Sequence, residues 1–252
     1  MKAAVRQLKV RQMLESQEFV DFQSLCHALD ASESSIRRDL IALEAGGVLK
    51  RVYGGAMAAQ ASSTHLLDFE WQSTRMRDEK TRIARVAAGL IEDGQTVILD
   101  GGSTVAALAR ELVDRSLHVM TNSLPIADVF ANARQVELTL TGGFLYPRLR
   151  AMVGPLCEQM LGAVRADVLV MGIGGVTESG FSNNNTLVVG PERKMIEVSG
   201  KVIVLTDHTK FGRSAMIPVT PLDVADIVVS DTGLSAGHRA MLEKQDVQVL
   251  LA

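Results

Sequence analysis

With 252 residues, 47% of them hydrophobic and 22% charged, and a formal net charge of −3, the chain has enough apolar content for one large α/β domain or a small domain joined to a larger one. It is neither disordered nor uniformly basic. The longest uncharged apolar stretch, Val168 to Val176, is well short of the ~18 residues of a membrane span, and Lys2, Arg6, Lys9 and Arg11 interrupt the apolar residues at the start, so a cytoplasmic chain without signal, anchor or membrane partner is expected.

Cys26 and Cys157 have no CxxC partner, and His27, His65, His118, His208 and His238 form no HxH or HxxxH group. Neither a disulfide framework nor a metal centre is expected. Residues 1–60 carry eight Lys or Arg against seven Asp or Glu, and the remainder 18 against 22. The basic residues of the first part cluster as Arg37-Arg38 and Lys50-Arg51, and the local field is what a phosphate backbone meets.

In chain order, Val5, Leu8 and Met13-Leu14 repeat at helical spacing. Phe22 to Leu29 reads as a short second helix behind an Asp21 cap, and Ser32 caps a third that Gly46-Gly47 stop. The run VLKRVYGGAM from Val48 reads as a two-stranded ribbon turning near its glycines. Three helices and a wing make a winged helix-turn-helix over residues 1–57. Small and hydroxyl residues at Met57 to Thr64 mark a boundary, so 58–78 is a linker and connecting helix that includes Trp71.

From Glu79 to residue 252 the fold class is α/β, with strands expected at Thr96–Asp100, Leu117–Thr121, Val136–Thr141, Val168–Ile173, Val202–Thr206, Ile227–Ser230 and Val247–Leu251. Helices are expected at Thr81–Ile91, Val105–Val113, Leu124–Ala133, Gly154–Leu161, Pro191–Ser199 and Ala236–Lys244. This alternation predicts a largely parallel sheet with helices over it, a Rossmann-like domain.

Two groups of residues carry chemistry. Placing Ile36, Leu40 and Leu43 on one face of the third helix turns Ser34, Arg38 and Ile41 to the opposite face, with Ser35 and Arg37 on its flanks. Arginines near the start of such a helix can grip guanine, while Lys50, Arg51 and Tyr53 on the wing suit phosphates. An isolated Arg pair is often only a solvated helix face, but here helix spacing, caps and basic wing agree.

The second group lies where strands end: Asp100-Gly101-Gly102-Ser103-Thr104, Thr121-Asn122-Ser123, Thr141-Gly142-Gly143 and Gly172-Ile173-Gly174-Gly175. Backbone N–H groups and a helix dipole at such turns can cradle an anion. Tight turns also use glycine for structure alone. Thr177 stands where a dinucleotide fingerprint needs its third glycine and no GxxxxGK[ST] run occurs, so no nucleotide cofactor is expected. Arg148 and Arg150 read equally as closing over an anion or as solvated loop charges.

The run Ser32-x-x-Ser35-Ile-Arg-Arg-Asp-Leu, followed by Lys50-Arg51-x-Tyr53-Gly-Gly-Ala56, resembles the DeoR family of bacterial sugar-responsive regulators, with Ser35 where the family usually has Thr and Tyr53 where it has His. The resemblance continues through Glu79-Lys80, the DGGST turn, TNS, TGG and Leu205-x-Asp207-x-x-Lys210-Phe211-Gly212. It implies a repressor that binds double-stranded operator DNA as a homo-oligomer, dimer or tetramer, and leaves it when a phosphorylated sugar binds.

By that resemblance the effector domain is similar in fold to ribose-5-phosphate isomerases. Asp207 would accept sugar hydroxyls, Lys210 would pair with phosphate, and Gly102, Ser103 and Thr104 would hold its oxygens. The same resemblance places Met171 and Gly174 where those isomerases carry acids. That implies sensing without turnover, with Glu192 a carboxylate near the crevice and Asn183-Asn184-Asn185 as amides for ligand hydroxyls. An isomerase with an attached DNA-binding module, or a metabolite-binding scaffold without DNA contact, are the alternatives. Asp39 and Glu44 are expected to be structural, because an acid facing phosphate is repelled.

Overall fold

A computed structural model describes residues 3–17, 19–52, 55–58 and 69–252. The chain divides into two compact units, Met1–Leu66 and Leu67–Ala252. Residues 59–68 of the expected linker, and Tyr53 on the wing, fall outside the described residues.

The first unit runs α1 (Ala3–Gln17), β1 (Phe19–Asp21), α2 (Phe22–Leu29), α3 (Glu33–Ala45), β2 (Leu49–Val52) and β3 (Gly55–Ala58). The expected ribbon is present as the antiparallel pair β2 and β3, and β1 joins it to give the order β1-β3-β2. Ile36, Leu40 and Leu43 of α3 are buried with Leu25, Leu49 and Ala56. On α1 the buried residues are Val10 and Leu14, while Val5 and Leu8 are 46% and 55% exposed, so of the stripe read as Val5, Leu8 and Met13-Leu14 the first two face solvent, whereas Leu14 is in the core with Met13 packed against it. The i, i+4 pair Val10 and Leu14 is the one that meets the core.

The Asp21 cap is present, its carboxylate accepting from Ser24 N–H at 2.8 Å. Ser32 occupies the N-cap of α3 without a side-chain bond to the backbone. Its hydroxyl instead lies 3.2 Å from Ser34 Oγ and donates to Ser35 Oγ at 3.0 Å.

The second unit opens with α4 (Phe69–Thr74) and α5 (Arg77–Ala88), and then alternates β4 (Thr96–Leu99), α6 (Ser103–Glu111), β5 (Leu117–Thr121), α7 (Leu124–Phe130) and β6 (Val136–Leu140). A hairpin of β7 (Phe144–Tyr146) and β8 (Ala151–Val153) leads to α8 (Pro155–Gly162) and β9 (Ala166–Gly172). There follow β10 (Gly175–Thr177), β11 (Gly180–Asn183), α9 (Thr186–Val198), β12 (Ser199–Leu205), β13 (Ile217–Thr220), β14 (Ile227–Ser230), α10 (Ala236–Glu243) and β15 (Gln248–Leu251).

All seven strands expected from the sequence lie in one sheet of order β15-β14-β12-β9-β4-β5-β6, parallel throughout. Val97, Leu99, Val168, Val170 and Ile203 point to one face with α5, α6 and α7. Ile98, Leu169, Met171, Val202 and Val204 point to the other with α8, α9 and α10. Cover on both faces is why these strands read as unbroken apolar runs.

The second small sheet, β10-β11-β13, escapes a sequence reading because its strands are three or four residues long. The structure also corrects the start of α9. Pro191 lies inside the helix, which begins at Thr186 behind Asn185, whose side chain accepts from Leu187 N–H at 2.9 Å.

Candidate functional site

In the first unit, α3 presents Ser34, Arg37 and Arg38 to solvent, with Ser35 half-buried and Ile41 49% exposed. Arg38 Nε donates to Ser34 O at 3.2 Å. Arg37 lies 3.9 Å from Glu33 and over the Phe22 ring, 5.5 Å from its centroid. Lys50 and Arg51 are exposed on β2. The two acids have other partners. Asp39 is buried and accepts from Arg6 Nε at 2.6 Å and Gln7 Nε2 at 3.2 Å, fastening α3 to α1. Glu44 accepts from the Arg51 N–H at 2.8 Å and from Arg51 Nε at 2.6 Å, which ties the wing to the end of α3.

In the second unit the chain leaves β4 for β5 and β6, then returns to place β9 on the other side of β4. A crevice opens beyond the carboxyl ends of strands at such a reversal. Asp100 follows β4, and α6 starts at Ser103 after Gly102, whose φ of 137° suits glycine. No side chain among the described residues caps α6, so its first N–H groups and positive dipole end are left for a ligand. Asn122 Oδ1 and Ser123 Oγ, beside Gly101, are buried without hydrogen-bond partners among the described residues. A ligand or a water at the turn would satisfy both atoms.

Lys80 reaches this turn from α5. It is 5% exposed, and Nζ donates to Ser103 Oγ at 2.8 Å and Gln72 O at 2.5 Å. Burial pushes its ammonium down to about 7, against the pull of Asp207 and with Lys210 and Arg75 adding to the fall. Asp207, buried, accepts the N–H and hydroxyl of Thr209 at the start of the turn His208–Lys210. Burial also lowers Lys210, again opposed by Asp207. Lys80, Asp207 and Lys210 thus act on one another beside the α6 terminus. Burial raises the Asp100 carboxyl to about 7, against the N–H groups of Gly101 and Gly172 that it accepts.

Several residues expected at a ligand have structural partners. The Thr121 hydroxyl donates to Leu99 O at 2.6 Å and accepts from Ser123 N–H at 3.1 Å. A Cβ on Gly143 would lie 2.7 Å from Val153 O, and one on Gly174 would lie 2.8 Å from Asn183 Oδ1, so close packing requires those glycines. Gly142 N–H is directed at Met160 Sδ, 2.9 Å away. Asn183 donates to Glu192, Asn184 accepts from Met216 N–H, and Asn185 caps α9. Arg150 pairs with Glu70 and Asp128, each at 3.3 Å, the solvated-charge alternative.

Sequence reasoning assigns Lys80 no role, yet it shares the apolar stripe of α5 with Ile83, Ala84 and Ala87. A lysine inside such a stripe is a readable signal. Among the described residues no group of His, Cys, Asp and Glu could hold a metal, and no helix is long and apolar enough to cross a membrane.

Residues 6–62 match the DeoR-like helix-turn-helix domain and residues 75–232 the DeoR C-terminal sensor domain. The chain belongs to the DeoR family of transcriptional regulators. Its relatives include the transcriptional repressor GlcR of Bacillus subtilis, 29% identical over 98% of this chain and 95% of that protein. The regulator GolR of Listeria innocua is 32% identical over 91% of each chain, and the repressor AccR of Agrobacterium fabrum 32% over 90% and 89%.

Among solved structures, ribose 5-phosphate isomerase A of Methanocaldococcus jannaschii shares 19% identity over 54% of each chain, with a TM-score of 0.40. Membership of the DeoR family makes this chain a DNA-binding transcriptional regulator rather than an isomerase.

Proposed function

We propose that this DeoR-family protein is a repressor of a sugar or polyol catabolic operon and leaves its operator when a phosphorylated sugar settles on the α6 terminus. Repressor names among the relatives support the sign of regulation. One observation carries the effector reading: Lys80 is buried on a serine hydroxyl and a backbone carbonyl, without a carboxylate among the described residues in hydrogen-bond contact, at the start of an uncapped helix. A phosphate dianion there would bond the N–H groups of Gly102, Ser103 and Thr104 and restore full charge to Lys80, with Lys210 alongside. Asp207 would order those two cations and accept a sugar hydroxyl.

In this reading residues 1–57 bind DNA, 58–78 connect, and 79–252 sense the effector. Arg37, Arg38, Ser34 and Ser35 enter the major groove, and Lys50, Arg51 and Tyr53 meet phosphates. A homodimer or tetramer in the cytoplasm presents paired wings to paired half-sites, which raises affinity through effective concentration. The test is operator binding titrated with sugars and their phosphate esters. Esters should release the DNA and free sugars should not, and an inducing ester must bind the DNA-free protein more tightly than the complex. Equal potency of sugar and ester would overturn the phosphate reading.

A further inference from the structure

Glu192 of α9 takes no part in the reading above. It is 2% exposed. Its Oε1 accepts from Asn183 Nδ2 at 2.6 Å, and its Oε2 is buried without a hydrogen-bond partner among the described residues. The cation that acts on it, Arg193, is directed elsewhere, with Nε donating to Val219 O at 3.1 Å and Nη2 to Pro218 O at 2.7 Å.

The other charge acting on Glu192 is the buried carboxyl of Asp100, held by N–H groups of Gly101 and Gly172. Between the two lies the turn after β9. A Cβ on Gly172 would lie 4.0 Å from Gly101 O, and Gly174 packs on Asn183. Lys80 and Lys210 interact with Asp207 instead. Behind the phosphate end there is therefore a pair of buried carboxyl groups with an amide and, among the described residues, no cation bonded to either.

Resting on the phosphate reading, we propose that Glu192, backed by Asp100, is a specificity-determining charge filter. It admits phosphate esters whose remaining groups are uncharged hydroxyls and rejects esters that carry a second anionic group. A carboxyl pair that shares one proton can both donate to and accept from hydroxyls. A ligand carboxylate or second phosphate would force another proton onto the pair, because like charges in a buried site do not coexist cheaply. Burial and the Asp100 charge both raise the Glu192 carboxyl, and burial pushes the Asp100 carboxyl up to about 7. The filter is accordingly strongest above that pH.

The test uses the full-length protein at pH 8 and two matched pairs in calorimetry: glucose 6-phosphate with 6-phosphogluconate, and fructose 6-phosphate with fructose 1,6-bisphosphate. Inorganic phosphate is the reference. In each pair that binds, the second ligand should be at least ~10-fold weaker, the factor of one pKa unit. Glu192→Gln should narrow that gap to about threefold while operator binding stays at wild-type strength. Wild type at pH 6 should show the same narrowing without any substitution.

An undiminished gap in Glu192→Gln and at pH 6, or no gap in wild type, overturns the filter and leaves the phosphate reading standing. Binding of inorganic phosphate with none of the esters also overturns it, because a wall suited to hydroxyls would have admitted the uncharged members. Failure of every ester and of inorganic phosphate to bind overturns the phosphate reading itself.

Discussion

In the first unit the buried acid Asp39 meets a guanidinium at 2.6 Å and an amide at 3.2 Å. In the second unit Lys80 is buried on a hydroxyl and a carbonyl, Asp100 on two backbone N–H groups and Glu192 on one amide. The first arrangement satisfies charge with charge and fixes one helix against another. The second leaves ions on neutral partners, each with its pKa displaced toward the uncharged form, and a ligand can relieve that cost. Partnered buried charge marks structure, and charge buried on neutral partners marks a place prepared for something to bind.

The largest effect should follow from breaking the partnered side. Asp39→Ala removes the carboxylate from a guanidinium that is only 13% exposed, a loss of about 3–5 kcal/mol. Hydrogen exchange should show α1 and α3 losing protection and operator binding collapsing, with effector affinity unchanged. Retention of operator binding would show that the pair does not hold α3 in place.

The unpartnered side should answer in the opposite sense. Lys80→Met removes one charge-assisted contact to phosphate, roughly 1.5–3 kcal/mol or ten- to hundredfold in effector affinity, while stabilising the ligand-free protein. The sign follows from a folded pKa of about 7 against 10.5 for the free group. The cost of burying the ammonium is present in full below pH 7 and disappears as pH rises toward 10.5. The gain in melting temperature should therefore be greatest at pH 6 and small near pH 10. A fall in melting temperature at pH 6 would make Lys80 a structural residue.

Because an anion restores the Lys80 charge, effector binding should take up protons. Affinity should decline as pH rises above about 7, by at most about tenfold per unit. Calorimetry at pH 8 in buffers of different ionisation enthalpy reads the uptake, and Lys80→Met should reduce it. An uptake that survives the substitution would assign the proton to Asp100 and Glu192.

Much of this is legible in the sequence. The seven parallel strands show as continuous apolar runs because both of their faces are covered, and the α3 stripe shows because one face is. The α1 stripe is right at Met13-Leu14 and misleads at Val5 and Leu8: these and Val10 are all apolar, and periodicity alone does not say which of them meets the core. The DGGST turn is visible because two glycines followed by two hydroxyls interrupt the apolar run at a strand end. Lys80 and Glu192 are harder. Their meaning lies in neutral hydrogen-bond partners where a counter-ion could stand, and those partners come from α4, α6 and β11, which only the fold brings together. The packing need of Gly143 and Gly174 is hidden from the sequence for the same reason, since it exists only in three dimensions.

The smallest effects should come from the exposed cations of the first unit, and they separate base reading from phosphate contact. Arg38 projects from α3 near its start, where a groove-facing contact discriminates bases. Arg38→Ala should cost about 1–3 kcal/mol on operator and little on a scrambled duplex. Arg51 is held at Nε and N–H by Glu44, which orients its remaining nitrogens at the edge of the wing. Arg51→Ala should weaken both duplexes by the same few-fold factor and flatten the plot of log K against log salt by ~0.9. Loss of affinity in the same ratio on both duplexes for both variants would mean that Arg38 also meets only phosphate, and the reading of bases would then fall to Ser34, Ser35 and Arg37.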